Sequence, residues 1–149
     1  MDLKVRPIEK TDFKELISMF NEFATFQKMP DKMINSVKQM TEESEYLNGF
    51  VIENDSGELI GYATYFYAYF TWIGKSLYMD DLYVKPDYRR QGLGQKLIDS
   101  VIDKAKADEC KKVRWQVSKW NQNAIDFYKS LGAEVDNIES NCDYWIIKI

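Results

Sequence analysis

No histidine occurs among the 149 residues. Its absence excludes Ser-His-Asp and Cys-His catalysis, and with them every histidine-based metal site. Cysteine is scarce, with only Cys110 and Cys142 present. Two thiols without histidine make a poor metal set, and one pair is no disulfide framework. Two reduced thiols, no bound metal and a cytoplasmic setting are the expectation. A basic excess is also missing: Lys+Arg is 20 against Asp+Glu 24, a net charge of -4. A nucleic-acid surface needs the opposite balance, whereas small cationic partners suit this one. No apolar run approaches the roughly 18 residues of a membrane helix. The opening "MDLKVRPIEK" has no apolar stretch of the kind a signal peptide carries. Neither a membrane nor a nucleic acid is therefore an expected partner. There is no repeat, low-complexity tract or linker, so one domain over residues 1–149 is expected.

Hydrophobic residues at 45% and charged residues at 30% are enough for a packed core in a chain of this length. "LKVRPI" alternates and reads as a first strand. Thr11 to Phe26 carries Phe13, Leu16, Ile17, Phe20, Phe23 and Ala24 at helical spacing, capped by Thr11 or Asp12. "PDKMINSVKQMTEE" reads as a second helix starting at Pro30. "GFVIEN" is a strand, the "NDSG" cluster a turn, and "ELIGYATYFYAYF" and "KSLYMDDLYVKP" two strands of an antiparallel meander around "TWIG". A helix from about Gly92 to Ala107 shows the apolar stripe Leu93, Leu97, Ile98, Val101, Ile102 and Ala105. "KKVRWQVS" reads as a strand. "NQNAIDFYKSLGA" is a helix with an asparagine cap at Asn121 or Asn123 and a stop at Gly132. "CDYWIIKI" closes as a strand. The fold class is α+β, a sandwich of sheet and helices.

"PDYRRQGLGQKLIDS" places Gly92 and Gly94 where a helix must begin. Glycine within a helix costs about 1 kcal/mol relative to alanine, so the bare backbone needs a reason. Strand, glycine loop and helix N-terminus together form a phosphate cradle: unpaired N–H groups face outward and the macrodipole is positive there. No P-loop pattern is present. A dinucleotide fingerprint fails too, because the third glycine slot is Leu97. What remains is Arg89-x-x-Gly92-x-Gly94.

That pattern after a strand ending in Val84 resembles the pyrophosphate motif of the GNAT family of N-acetyltransferases. About thirty residues on, "VSKWNQNAIDFYKSLGA" resembles the family's Asn-x-x-Ala-x-x-x-Tyr helix, through Asn121, Ala124 and Tyr128. The resemblance spans essentially the whole chain and is best from about Gly61 to Ala133. "WIGKSLYMDDLYV" and "WNQNAIDFYKSLGA" are similar to the spermidine/spermine (diamine) and thialysine branch. It implies a GNAT fold: a central mixed, mostly antiparallel sheet flanked by about four helices. It also implies acetyl-CoA as co-substrate and a cytoplasmic homodimer acting on a small-molecule amine.

Three tasks follow for such a reaction. To hold acetyl-CoA, the resemblance assigns the backbone of Arg90, Gln91, Gly92, Leu93, Gly94 and Gln95 to the pyrophosphate, with the Arg89 and Arg90 side chains nearby. Leu82 and Val84 would pair with the pantetheine arm as a further strand would, a bulge in this strand would aim an amide at the thioester oxygen, and Asn121, Ala124 and Phe127 would meet the cofactor. To protonate the departing thiolate, Tyr128 is the expected general acid, since a phenol stays neutral at pH 7 yet donates. To take up the amine, Asp80 stands where the branch has glutamate, one methylene shorter. It would attract the cation and relay its proton, because an alkylammonium has a pKa near roughly 10 and only the neutral amine attacks. Asp81 is expected on the opposite face of the strand. Phe26 and Gln27 at the end of the first helix, with Trp115 and Gln116 further on, are the remaining substrate-site candidates. Gln27 replaces an acid of the polyamine-specific members. Two other readings stay open: acetylation of a protein lysine or N-terminus, and a non-catalytic acyl-CoA-binding module.

Overall fold

The computed structural model describes residues 3–136 and 147–149. They fall into two compact units that divide after Trp115. The first contains strands β1 (Lys4–Pro7), β2 (Asn48–Glu53), β3 (Leu59–Phe70), β4 (Gly74–Val84) and β5 (Val113–Arg114), with helices α1 (Phe13–Phe26), α2 (Val37–Glu42) and α3 (Leu93–Ala107). The second contains α4 (Gln122–Ser130). The strand expected over "CDYWIIKI" falls mostly outside the described residues, as does Cys142.

The sheet runs β1-β2-β3-β4-β5 in sequence order. Its first three pairings are antiparallel and the last, β4 with β5, is parallel. The mixed, mostly antiparallel sheet is thus as expected. Successive side chains leave a strand on opposite faces, and the two faces of β3 meet different helices. Tyr62 stacks edge-on against Phe20 of α1 with ring centroids 4.9 Å apart. At the neighbouring Gly61, a Cβ would sit 3.4 Å from a methyl of Leu97 on α3.

On the α1 face, Phe13, Leu16 and Met19 are buried with Val51, Leu59, Tyr62 and Tyr83. On the α3 face, Leu93, Leu97, Ile98, Val101 and Ala105 are buried. That matches the apolar stripe except at Ile102, which is only half-buried.

Three local expectations are corrected. Asp12 does not cap α1 through its side chain. Its carboxylate instead takes two hydrogen bonds from Arg6, each 2.8 Å, and one from the Glu9 amide at 2.7 Å. Burial works to raise this carboxyl, but Arg6 and the amide together outweigh it and hold it below the usual range. The second helix does not start at Pro30. Pro30–Lys32 forms a single 3-10 turn, and α2 begins only at Val37, behind a Ser36 cap that accepts the Gln39 N–H at 3.1 Å. Asn35 accepts the Ser36 N–H at 2.8 Å, so side chains compete there with a continuous helix. Finally, "KKVRWQVS" supplies only the two residues of β5, paired with Leu77 and Tyr78. The ladder stops two residues short of an irregularity in β4 at Asp80.

Candidate active site

Thr64 of β3 pairs with Asp81, yet Tyr65 pairs with Met79. Asp80 is therefore an extra residue, a β-bulge that puts two residues of β4 opposite one of β3. This overturns the expected alternation. Asp80 and Asp81 do not separate onto two faces; both line one pocket of about 380 Å³. The pocket's apolar walls include Phe20 and Phe23 of α1, with Met29 and Met33 from the segment after it. Gln27 and Lys32 also line it.

Loss of surrounding water raises the Asp80 carboxyl above its ordinary value. Asp81 is pushed up to about 6, first by burial and then by the charge of Asp80. The Tyr62 hydroxyl donates to Asp81 at 3.2 Å and offsets this in part. Tyr62 is itself buried beside that carboxylate and held well above its usual range, so it stays a neutral donor. Two acids with elevated proton affinity in one apolar pocket can bind a cation and accept its proton near neutral pH. Asp81 was not foreseen as a site residue. The only trace in the sequence is the acidic doublet within an aromatic strand, and alternation argues against using it.

The bulge also decides which backbone groups face the sheet edge. The Lys85 N–H donates to Ile60 O at 2.9 Å. Residues 60 and 85 thus form a hydrogen-bonded pair, and pairs alternate along an antiparallel ladder. Gly61–Val84 and Ala63–Leu82 are then the non-bonded pairs, with the N–H and C=O of Leu82 and Val84 turned away from β3. Among the described residues, no strand pairs with that edge beyond Tyr78. A half-amide arm can hydrogen-bond there as a further strand does.

Past this edge the chain enters the glycine loop. Arg90 and Gly92 both have left-handed backbones, with φ of 61° and 77°. Gly92 is the N-cap of α3, and no side chain caps that end. The first helical bond to it is Lys96 N–H to Gly92 O at 3.1 Å. The amides of Gly92, Leu93, Gly94 and Gln95 are consequently the unsatisfied donors of a 15-residue helix. This is why glycine stands at 92: the turn into α3 needs a conformation that other residues adopt at a cost. The concave row of N–H groups fits an anionic pyrophosphate.

Arg89 has another engagement. Its Nε donates to Val84 O at 2.8 Å, and its guanidinium lies 5.3 Å from the Phe26 ring centre and 5.6 Å from that of Tyr83. It fastens the loop to β4 and to the end of α1. Phe26 lies in this stack, outside the lining of the acidic pocket. Glu22 accepts a hydrogen bond from the Tyr83 hydroxyl at 2.8 Å.

Trp115 and Gln116 follow β5, which closes at Arg114. In the second unit, Asn121 caps α4 by accepting the Ala124 N–H at 3.3 Å. Phe127 and Tyr128 stand side by side on that helix with ring centroids 5.2 Å apart.

Comparison with known proteins agrees with this arrangement. The Acetyltransferase (GNAT) family matches residues 12–133. Thialysine N-epsilon-acetyltransferase of Bos taurus is 32% identical over 146 residues, covering 87% of this chain and 83% of that protein. The protein of the same name from Sus scrofa is 34% identical over 140 residues, covering 87% and 82%. A solved aminoglycoside acetyltransferase from an uncultured soil metagenomic sample superposes with a TM-score of 0.79 at 22% identity, covering 98% of this chain and 97% of that one. The phosphate-type loop, the bulged strand and these matches converge, and the chain belongs to the GNAT acetyltransferase family, in the branch that includes the thialysine enzymes.

Proposed function

We propose that the chain moves an acetyl group from acetyl-CoA to the primary amine of a small molecule: a diamine, a polyamine or a lysine-like amino acid. The observation that carries this reading is the Asp80 bulge. It gathers two carboxylates in one pocket and turns Leu82 and Val84 toward the sheet edge next to it. When bound, acetyl-CoA supplies a thioester whose carbonyl carbon the amine nitrogen attacks as the carbon–sulfur bond breaks. The donors of residues 90–95 would hold its pyrophosphate, and Leu82 and Val84 its pantetheine arm. Val84 has its N–H for this purpose, since Arg89 occupies its carbonyl.

Asp80 and Asp81 attract the ammonium form and take up its proton directly or through water. With Asp81 raised to about 6, the carboxylate form dominates at pH 7 and remains a usable base. Tyr128 is assigned as the acid that returns a proton to the thiolate, on the strength of its spacing from Asn121 and Ala124. The resemblance adds a homodimer and a cytoplasmic setting to this reading.

The test is release of the CoA thiol from acetyl-CoA with spermidine, putrescine, lysine, thialysine and a lysine peptide supplied separately. Turnover with one or more of the small amines is expected, and Tyr128→Phe should lower kcat well below the wild-type value with little change in acetyl-CoA affinity. Turnover with the peptide alone would move the reading to protein acetylation. Binding of acetyl-CoA without turnover of any broader set of amines would make this a binding module. Unchanged kcat in Tyr128→Phe would remove Tyr128 from its role.

A further inference from the structure

The pocket that holds the two acids also has a cationic wall. Lys32 is its one basic lining residue, and it enters from a different element, the 3-10 turn Pro30–Lys32, while the acids rise from β4. That turn is held by the Lys32 N–H to Met29 O at 3.1 Å and the Met33 N–H to Pro30 O at 3.2 Å. Proline at its first position further restricts the backbone.

The ion pairs among the described residues involve Arg6, Lys85 and Lys104. Lys32 takes part in none of them. Its ammonium is left for whatever enters the pocket. Apolar groups of Phe20, Phe23, Met29 and Met33 line the space along with the two charged ends, a surface suited to a short methylene chain. Gln27 adds no charge.

We propose that Lys32 forms an anion subsite, so that the preferred acceptor carries a carboxylate as well as its reacting amine. This inference rests on the reading that the acidic pocket receives the amine. A carboxylate brought to Lys32 gains a charge-assisted hydrogen bond. A diamine or polyamine brings a second ammonium to the same place and meets like charge. The lysine thus selects by attraction and by repulsion together.

The test uses two pairs of acceptors with the same carbon chain, one member of each bearing a carboxylate: lysine against cadaverine, and ornithine against putrescine. The full chain is assayed with acetyl-CoA as wild type, as Lys32→Gln and as Lys32→Glu. Wild type should favour the carboxylate-bearing member of each pair. Lys32→Gln should reduce kcat/KM for lysine and ornithine about tenfold, mainly through KM, as expected for loss of a hydrogen bond to a charged group. Cadaverine and putrescine should lose nothing and gain up to a few fold, as the like charge is removed. Lys32→Glu should invert the preference. Equal loss for both members of a pair, or no change in either, would overturn the carboxylate subsite while leaving the acetyltransferase reading in place. Absence of wild-type turnover with lysine and ornithine, where either diamine is turned over, would overturn this inference alone; absence with all four and with spermidine and thialysine would overturn the small-amine reading, and this inference with it. Lys32 is exposed on a turn, so the variants should fold, and circular dichroism checks this.

Discussion

Replacing Asp81 with asparagine should stabilise the protein at neutral pH while lowering its activity. The folded structure raises this carboxyl from 3.8 to about 6. At about 1.36 kcal/mol per pKa unit, keeping it ionised in the fold costs at most roughly 3 kcal/mol. Water at the pocket mouth reduces that to about 1–2 kcal/mol. Asparagine removes the charge but keeps an oxygen to accept the Tyr62 hydroxyl.

The sign follows from proton binding. Between pH 4 and 6 the folded state holds this proton more tightly than the unfolded state. The contribution of Asp81 therefore makes the wild type less stable as pH rises through that window, and the loss is complete above it. The stability difference between variant and wild type should thus be near zero at pH 4, open up between pH 4 and 6, and be full at pH 7.5. For a chain of this size it corresponds to a rise of about 3–6 °C in Tm. Urea unfolding midpoints for both proteins across this pH range measure it. A variant less stable than wild type at pH 7.5, or a gain independent of pH, would refute the reasoning. The same substitution removes a proposed proton acceptor, so kcat/KM should fall as Tm rises, the usual trade at a site strained for use.

Two further outcomes are expected. Gly92→Val should leave the protein folded, because a Cβ there meets nothing within 4 Å. The φ of 77° should still cost about 1–2 kcal/mol, and acetyl-CoA affinity by titration calorimetry should drop steeply; retained affinity would remove residues 90–95 from the phosphate site. Lys28→Gly should raise stability by about 1 kcal/mol. Lys28 sits at φ 64° just past α1, where the Met29 N–H reaches Ala24 O at 2.9 Å, a helix stop that favours glycine. Thermal unfolding of the variant checks this, and an unchanged or lower Tm would contradict it.

Features written locally were legible in the sequence. The apolar stripe of α3, the turn at Asn54 to Gly57 and the asparagine cap at Asn121 each depend on residues a few positions apart. The family resemblance alone implies a bulge in β4, but its place at Asp80 and the meeting of Tyr62 with Asp81 depend on how β3 registers with β4, and no spacing within β4 reveals them. Asp12 shows a different limit, since two local partners compete for it. As a helix cap it satisfies a local rule, but Arg6, six residues earlier on β1, offers a buried carboxylate two hydrogen bonds where the cap offers one. Arg89 was legible as a cation beside a phosphate loop, while its stacking on Phe26 and Tyr83 required the end of α1 to be in place.

The edge of β4 at Leu82 and Val84 also bears on how the protein survives in solution. A row of backbone donors and acceptors without a partner strand is a template for another chain, and proteins usually blunt such edges with charge, proline or cover. Among the described residues no strand covers this edge beyond Tyr78, and the proposed docking of the coenzyme needs it bare, so that on this reading protection falls to the coenzyme itself. A ligand present at a hundred times its Kd adds about 2.7 kcal/mol to the stability of the folded state, and on the proposed reading it would cap the exposed ladder as well. Coenzyme supply would then govern the chain's resistance to aggregation along with its turnover, and starved preparations should precipitate first.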